Sequence, residues 1–124
     1  MRAWIVSAEN DLATGRAALD AAMPSYETVS FHAQQAAEKA IKALLVKHQV
    51  EPPKTHDIGA LLTLTDRLAP GTARTLEAAE ALNRHAVDSR YPSPGESIGR
   101  EEAARDLDLG AQVLHHMRAL LGGS

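Results

Sequence analysis

The sequence predicts an all-α fold, an up-and-down bundle of four main helices with a shorter fifth, and three observations carry that prediction. Apolar residues make up 44% of the 124-residue chain but aromatics only 3%. The apolar content is therefore mostly Ala and Leu, strong helix formers, with few of the β-branched and aromatic residues that fill strands. These residues recur at steps of three and four, the period of one helix face. Breakers at Met23-Pro24-Ser25, Glu51-Pro52-Pro53, Pro70-Gly71 and from Pro92 to Gly99 divide the chain into five such segments. The short connections between them make neighbours antiparallel.

In the first segment Ile5, Ala8, Leu12, Gly15 and Leu19 fall on one stripe, with Trp4 anchoring its start. The second, from about Tyr26 to His48, carries Ala33, Ala37, Ala40, Ile41 and Leu44 on one face. Side chains that small let a neighbouring helix approach closely, so this is the expected central helix. Thr55 can cap a third helix, with Asp57 in its first turn and Ile58, Leu61, Leu62 and Leu68 as its apolar stripe. Thr72 can cap a fourth that runs to about Arg90, and its inward spacing selects Leu76, Ala79, Asn83, Ala86 and Arg90. A fifth, from about Arg100 to Leu121, is expected to bury Ala104, Leu107, Ala111, Leu114 and Leu121 before Gly122-Gly123 lets it stop.

No composition shift or linker divides these segments, so residues 1–124 are expected to form one domain. The chain has no Cys, which removes disulfides, thiolate metal sites and cysteine nucleophiles. Charged residues at Glu9 and Asp11 interrupt the N-terminus before a signal peptide or membrane span could form, and a cytoplasmic, membrane-free protein is expected. A net charge of −3 lacks the basic bias of a protein whose whole surface grips nucleic acid, so any such binding must be local. Six histidines raise the question of metal, yet no Glu-x-x-His or His-Glu-x-x-His pattern is present, and the adjacent His115 and His116 splay around their helix. No Gly-rich phosphate loop and no dinucleotide fingerprint occurs either, and neither metal nor cofactor is expected.

The candidate site lies opposite the Ala-rich face of the second helix, where Gln34, Gln35, Glu38, Lys39 and Lys42 form a polar arc. The plain reading is a solvated face on which Glu38 and Lys42, four residues apart, make a surface ion pair of about 0.2–0.5 kcal/mol. Phe31, Leu45 and Val46 point into the ends of the same arc and need a cover, with a second subunit in a two-fold dimer favoured over the folded-back Pro52-Pro53 loop. On the fourth helix, an inward Arg90 needs a carboxylate, with Glu38 or Asp88 in reach; the alternative is that the helix ends first and Arg90 meets water. Arg90 and Tyr91 stand where that helix breaks, a pair able to bind phosphate and stack a base. A polar ligand-binding pocket of Gln35, Glu38, Lys39, Lys42, Arg90 and Tyr91 follows, flanked by His32, His56, Asp57, Asn83 and Asp88.

The run FHAQQAAEKAIKALL, residues 31–45, closely resembles the second helix of HEPN domains, compact prokaryotic helical bundles. Pro53-Lys54-Thr55-His56-Asp57 is similar to the P-x-T-H-D/S lead-in to that family's third helix, and Asp88-Ser89-Arg90-Tyr91-Pro92 to the S-R-Y-P end of its fourth. In order, these fragments cover nearly the whole chain. The resemblance implies a homodimer, partnership with a small nucleotidyltransferase, association with nucleotides or RNA, and service in toxin–antitoxin or defence modules. Many HEPN proteins are metal-independent ribonucleases that use an Arg, four to six intervening residues and a His. Here the positions that should hold the His after Arg90 are Gly95, Glu96 and Ser97, and no other Arg has the spacing. The reading therefore leans away from an enzyme. A non-catalytic binding subunit leads, with a ribonuclease of altered active site, using His56 or His85 as acid or base, and a purely structural dimerisation module as alternatives.

Overall fold

The computed structural model describes residues 1–85 and 98–122, and among them every regular element is helical. Helices α1 (Arg2–Leu19) and α2 (Tyr26–Lys47) are followed by α3 (Ile58–Leu68), a four-residue α4 (Thr72–Thr75), a 3₁₀ helix (Glu77–His85) and α5 (Arg100–Leu120). The four main helices are α1, α2, α3 and α5, and α4 is the short one. Contacts at their ends give the directions. Trp4 of α1 meets Lys42 of α2, so the two run antiparallel. Arg100 donates to the Leu19 carbonyl at one end of α5 while Arg118 pairs with Glu9 near the other, so α5 is antiparallel to α1 as well. It runs alongside α2 in the same direction, with Ser30 bonded to Asp106 and Lys47 to the Leu121 carbonyl.

Helix α2 forms because Ser25 accepts from the Thr28 backbone N–H at its start and Ala, Gln, Glu and Lys favour helix along its length. Its Ala-rich face is the centre of the core. Ala33, Ala36, Ala37, Ala40, Ile41 and Leu44 are buried, together with Leu61 and Leu62 of α3, Leu82 of the 3₁₀ helix, and Val113 and Met117 of α5. Each fully buried Leu, Ile or Val contributes about 1.5–3 kcal/mol. Small side chains set the helix spacing. A Cβ on Gly110 would fall 2.8 Å from the Ala33 carbonyl oxygen, so the crossing of α5 over α2 requires glycine there.

Four sequence expectations change. Asp57, not Thr55, is the N-cap of α3 and accepts from Ala60 N–H, while Thr55 accepts from Asp57 N–H one step earlier. Thr72 does not cap the fourth helix; Gly71 does, at φ 92°, and Thr72 donates its hydroxyl to the Ala69 carbonyl. Beyond Thr75 the chain tightens into the 3₁₀ helix, whose side chains align every third residue. Its buried stripe is accordingly Leu76, Ala79 and Leu82, with Asn83 beside it rather than on it. In α5 the buried stripe is rotated by one position, to Ala103, Asp106, Leu107, Gly110, Val113, Leu114 and Met117, because Gly110 must lie against Ala33 and Asp106 against Ser30. Ala104, Ala111 and Leu121 sit at its half-buried edges.

Candidate functional site

Glu38 is the centre of the polar side of α2, and its side chain is only 4% exposed. Oε1 accepts from Lys42 Nζ at 2.8 Å and His56 Nδ1 at 3.0 Å; Oε2 accepts from Gln34 Nε2 at 3.1 Å and Gln35 Nε2 at 3.2 Å. Three of these donors share the helix with Glu38, placed by its period of 3.6 residues. His56 comes from the segment before α3. Val50 N–H donates to the Leu45 carbonyl and turns the chain back, and Gln34 Nε2 donates to the His56 carbonyl at 3.1 Å. Leu45 is fully buried and Val50 packs against the core, while Phe31 and Val46 stay half-buried. The folded-back segment, one of the two covers expected from sequence, thus closes over this side of α2.

Burial by itself pushes the Glu38 carboxyl up, but hydrogen bonds from Lys42 and His56, the Lys42 charge and the Gln34 amide outweigh it. The carboxyl is held below its ordinary value of 4.5 and stays ionised. Around it the polar arc is not a solvated face. Gln34 is fully buried, and the Lys42 side chain is 11% exposed, its ammonium 5.9 Å from the centre of the Trp4 ring.

A second carboxylate serves the same face from α1. Asp11 Oδ1 lies 2.8 Å from His32 Nδ1 and Oδ2 lies 2.7 Å from Lys39 Nζ. His32 also packs edge-on against Phe31, with ring centres 5.7 Å apart. His32, Gln35, Lys39 and Lys42 follow one another at steps of three, four and three, so they form a line along α2 between α1 and the 50–57 segment. His56, with its side chain 65% exposed, forms one border of that line.

The HEPN domain family description matches residues 1–120. The chain belongs to the HEPN family. The crystal structure of an archaeal HEPN homologue is similar to it with a TM-score of 0.74 and 27% identity, over 96% of this chain and 95% of that one. No curated protein matches it.

Within this HEPN domain the sequence-derived candidates divide. Gln35, Glu38, Lys39, Lys42, His32 and His56 come together along α2. Asn83 and Asp57 join each other instead, at the start of α3. Asn83 Oδ1 accepts from Ile58 N–H at 2.7 Å, and its amide donates to Asp57 Oδ1 at 3.1 Å, so both serve as caps. Asp88, Arg90 and Tyr91, and with them the expected pairing of Arg90, lie outside the described residues. Asp11 was missed by the sequence reading. Its one signal is position, three residues after Ala8 and beside Leu12, at the margin of the apolar stripe of α1. The buried Ser30–Asp106 hydrogen bond, 2.8 Å, was missed for the same reason. Among the described residues no group of three His, Cys, Asp or Glu could hold a metal, and no helix is long and apolar enough to cross a membrane.

Proposed function

We propose that this HEPN protein is a cytoplasmic homodimer that presents the polar side of α2 to a nucleotide, an RNA or a partner nucleotidyltransferase, in the setting of a toxin–antitoxin or defence module. The observation that carries this reading is the Glu38 cluster. A desolvated carboxylate with four side-chain donors is an expensive way to hold a helix in place, since apolar replacement of buried ionic groups is often neutral or stabilising by about 1–4 kcal/mol. Stability alone therefore does not account for it. The cluster does orient half-buried side chains that keep one side toward solvent, which is how a rigid recognition surface is built.

Light scattering on the purified protein tests the dimer, and anisotropy with a labelled single-stranded RNA and a labelled nucleotide tests the surface. Gln35→Ala and Lys39→Ala are each expected to weaken binding about tenfold, near 1.4 kcal/mol, while losing no more than about 1 kcal/mol of stability and remaining folded. Undiminished binding in both variants overturns the assignment of this face.

A second reading draws on one specific feature. Glu38 holds His56 through Nδ1 while the imidazole is mostly exposed, an arrangement suited to an acid or base in a ribonuclease with an altered active site. RNA cleavage that disappears in His56→Ala supports it, and an intact RNA after prolonged incubation removes it.

A further inference from the structure

A cavity of about 300 Å³ opens between α1 and α5, and no residue of the α2 face lines it. Glu9, Leu12, Ala13 and Arg16 line it from α1, and Ala111, Leu114, His115 and Arg118 from α5. Both sets follow steps of three, one and three, so each is one stripe of its helix, two turns or about 10 Å long. The stripes run antiparallel, and one end of the cavity is closed where Arg118 pairs with Glu9. The other end is lined by Arg16 and Ala111, an alanine where an acid would complete a second pair.

Arg16 is exposed and makes no ion pair or side-chain hydrogen bond among the described residues. Asp20, one turn further on, faces Arg100 instead. A basic residue in the last turn of a helix is favoured by the helix dipole, which accounts for the sign of Arg16 but not for the cavity it borders. The floor of that cavity is apolar. Leu12 and Leu114 are buried, and the short side chains of Ala13 and Ala111 leave the space above them unfilled. Two guanidinium groups and one carboxylate leave one positive charge over, whatever the state of His115. The volume stands at the lower end of the range of small-molecule sites.

We infer that the α1–α5 cavity binds a small aliphatic monocarboxylate, with the carboxylate on the guanidinium of Arg16 and the hydrocarbon chain laid over Leu12 and Leu114 toward Arg118. The planar fork of an arginine matches a carboxylate with two parallel hydrogen bonds. One negative charge balances the one left over. A phosphate monoester, at about −1.5 to −2 near neutral pH, brings more charge than the cavity has to neutralise. A nucleotide finds no aromatic ring in the lining on which its base could stack. This site stands or falls independently of the binding role of the α2 face.

Isothermal titration calorimetry on the intact protein tests it, with octanoate, hexanoate, octanol and octyl phosphate as probes, each taken into the millimolar range. Octanoate is expected to bind about tenfold more tightly than octanol and no more weakly than octyl phosphate. Hexanoate should bind about tenfold more weakly than octanoate, since each buried methylene is worth about three- to fourfold. Arg16→Gln is expected to lower octanoate affinity about tenfold, while Arg67→Gln on α3 and Gln35→Ala on the α2 face leave it unchanged. Arg16 and Arg67 are both exposed, so these variants stay folded. Ala111→Glu supplies the missing acid and should abolish binding; if that half-buried position does not accept it, Ala13→Leu, at an exposed one, fills the cavity to the same effect. No heat from octanoate, equal affinity for octanol, or an unchanged affinity in Arg16→Gln overturns the inference, as does octyl phosphate bound about tenfold more tightly than octanoate.

Discussion

Glu38 lies on α2 itself, is 4% exposed and gathers four side chains, whereas Asp11 reaches across from α1, is 12% exposed and gathers two. Both hold a lysine and a histidine, so the chemistry is the same and the setting differs. At Glu38 removal of the carboxylate strands Lys42, Gln34 and Gln35 in a region closed off by the 50–57 segment. At Asp11 the stranded groups, His32 and Lys39, are about a quarter exposed and can turn to water. Burial, more than the count of ion pairs, decides what each cluster contributes.

The largest expected effect is therefore Glu38→Ala, a loss of about 3–5 kcal/mol in urea unfolding from an uncompensated buried charge. A loss under about 1 kcal/mol would make the two carboxylates equivalent and end the contrast. Acid should expose the same difference. Because the folded-state value of Glu38 is depressed, its contribution is fully present above the ordinary carboxyl value of 4.5 and disappears as pH falls through the lower folded value. Melting temperatures between about pH 6 and 3 should fall less steeply in Glu38→Gln than in the native protein; parallel curves would show that Glu38 is not the group responsible.

Asp11→Asn comes next, at about 1 kcal/mol or less, and raised salt should shrink the difference further, since a partly exposed pair is screened and a buried one is not. A salt-independent loss as large as that of Glu38→Ala would contradict the exposure argument. The smallest effect is Lys39→Met, about 0.5 kcal/mol, compared by denaturant midpoint with Lys42→Met, which should cost more because it leaves the buried Glu38 short of its closest partner.

Much of α2 was legible beforehand. Ala33, Ala37, Ala40, Ile41 and Leu44 repeat at helical spacing and are buried as that spacing requires. The polar residues of the opposite arc were identified too, but their burial was not. Gln34 and Glu38 look solvent-facing on a wheel and are buried because a segment eighteen residues further on returns to place His56 against them. The 3₁₀ helix was hidden for a different reason. Leu76, Ala79 and Leu82 at intervals of three fit its period, yet Leu76, Ala79 and Asn83 fit an α-helix, and the choice rests on Asn83 being drawn to the start of α3.

By itself the sequence determined the all-α class, the main helices and the polar identity of one side of α2, because helix propensity and apolar period act within a few neighbouring residues. The tertiary structure alone decided which carboxylate meets which base. Asp11 joins residues 21 and 28 positions away and Glu38 joins one 18 away, and such pairings depend on how closely small residues such as Gly110 and Ala33 let the helices pack. It also decided that these charges are buried, because burial depends on which distant segment arrives to exclude water.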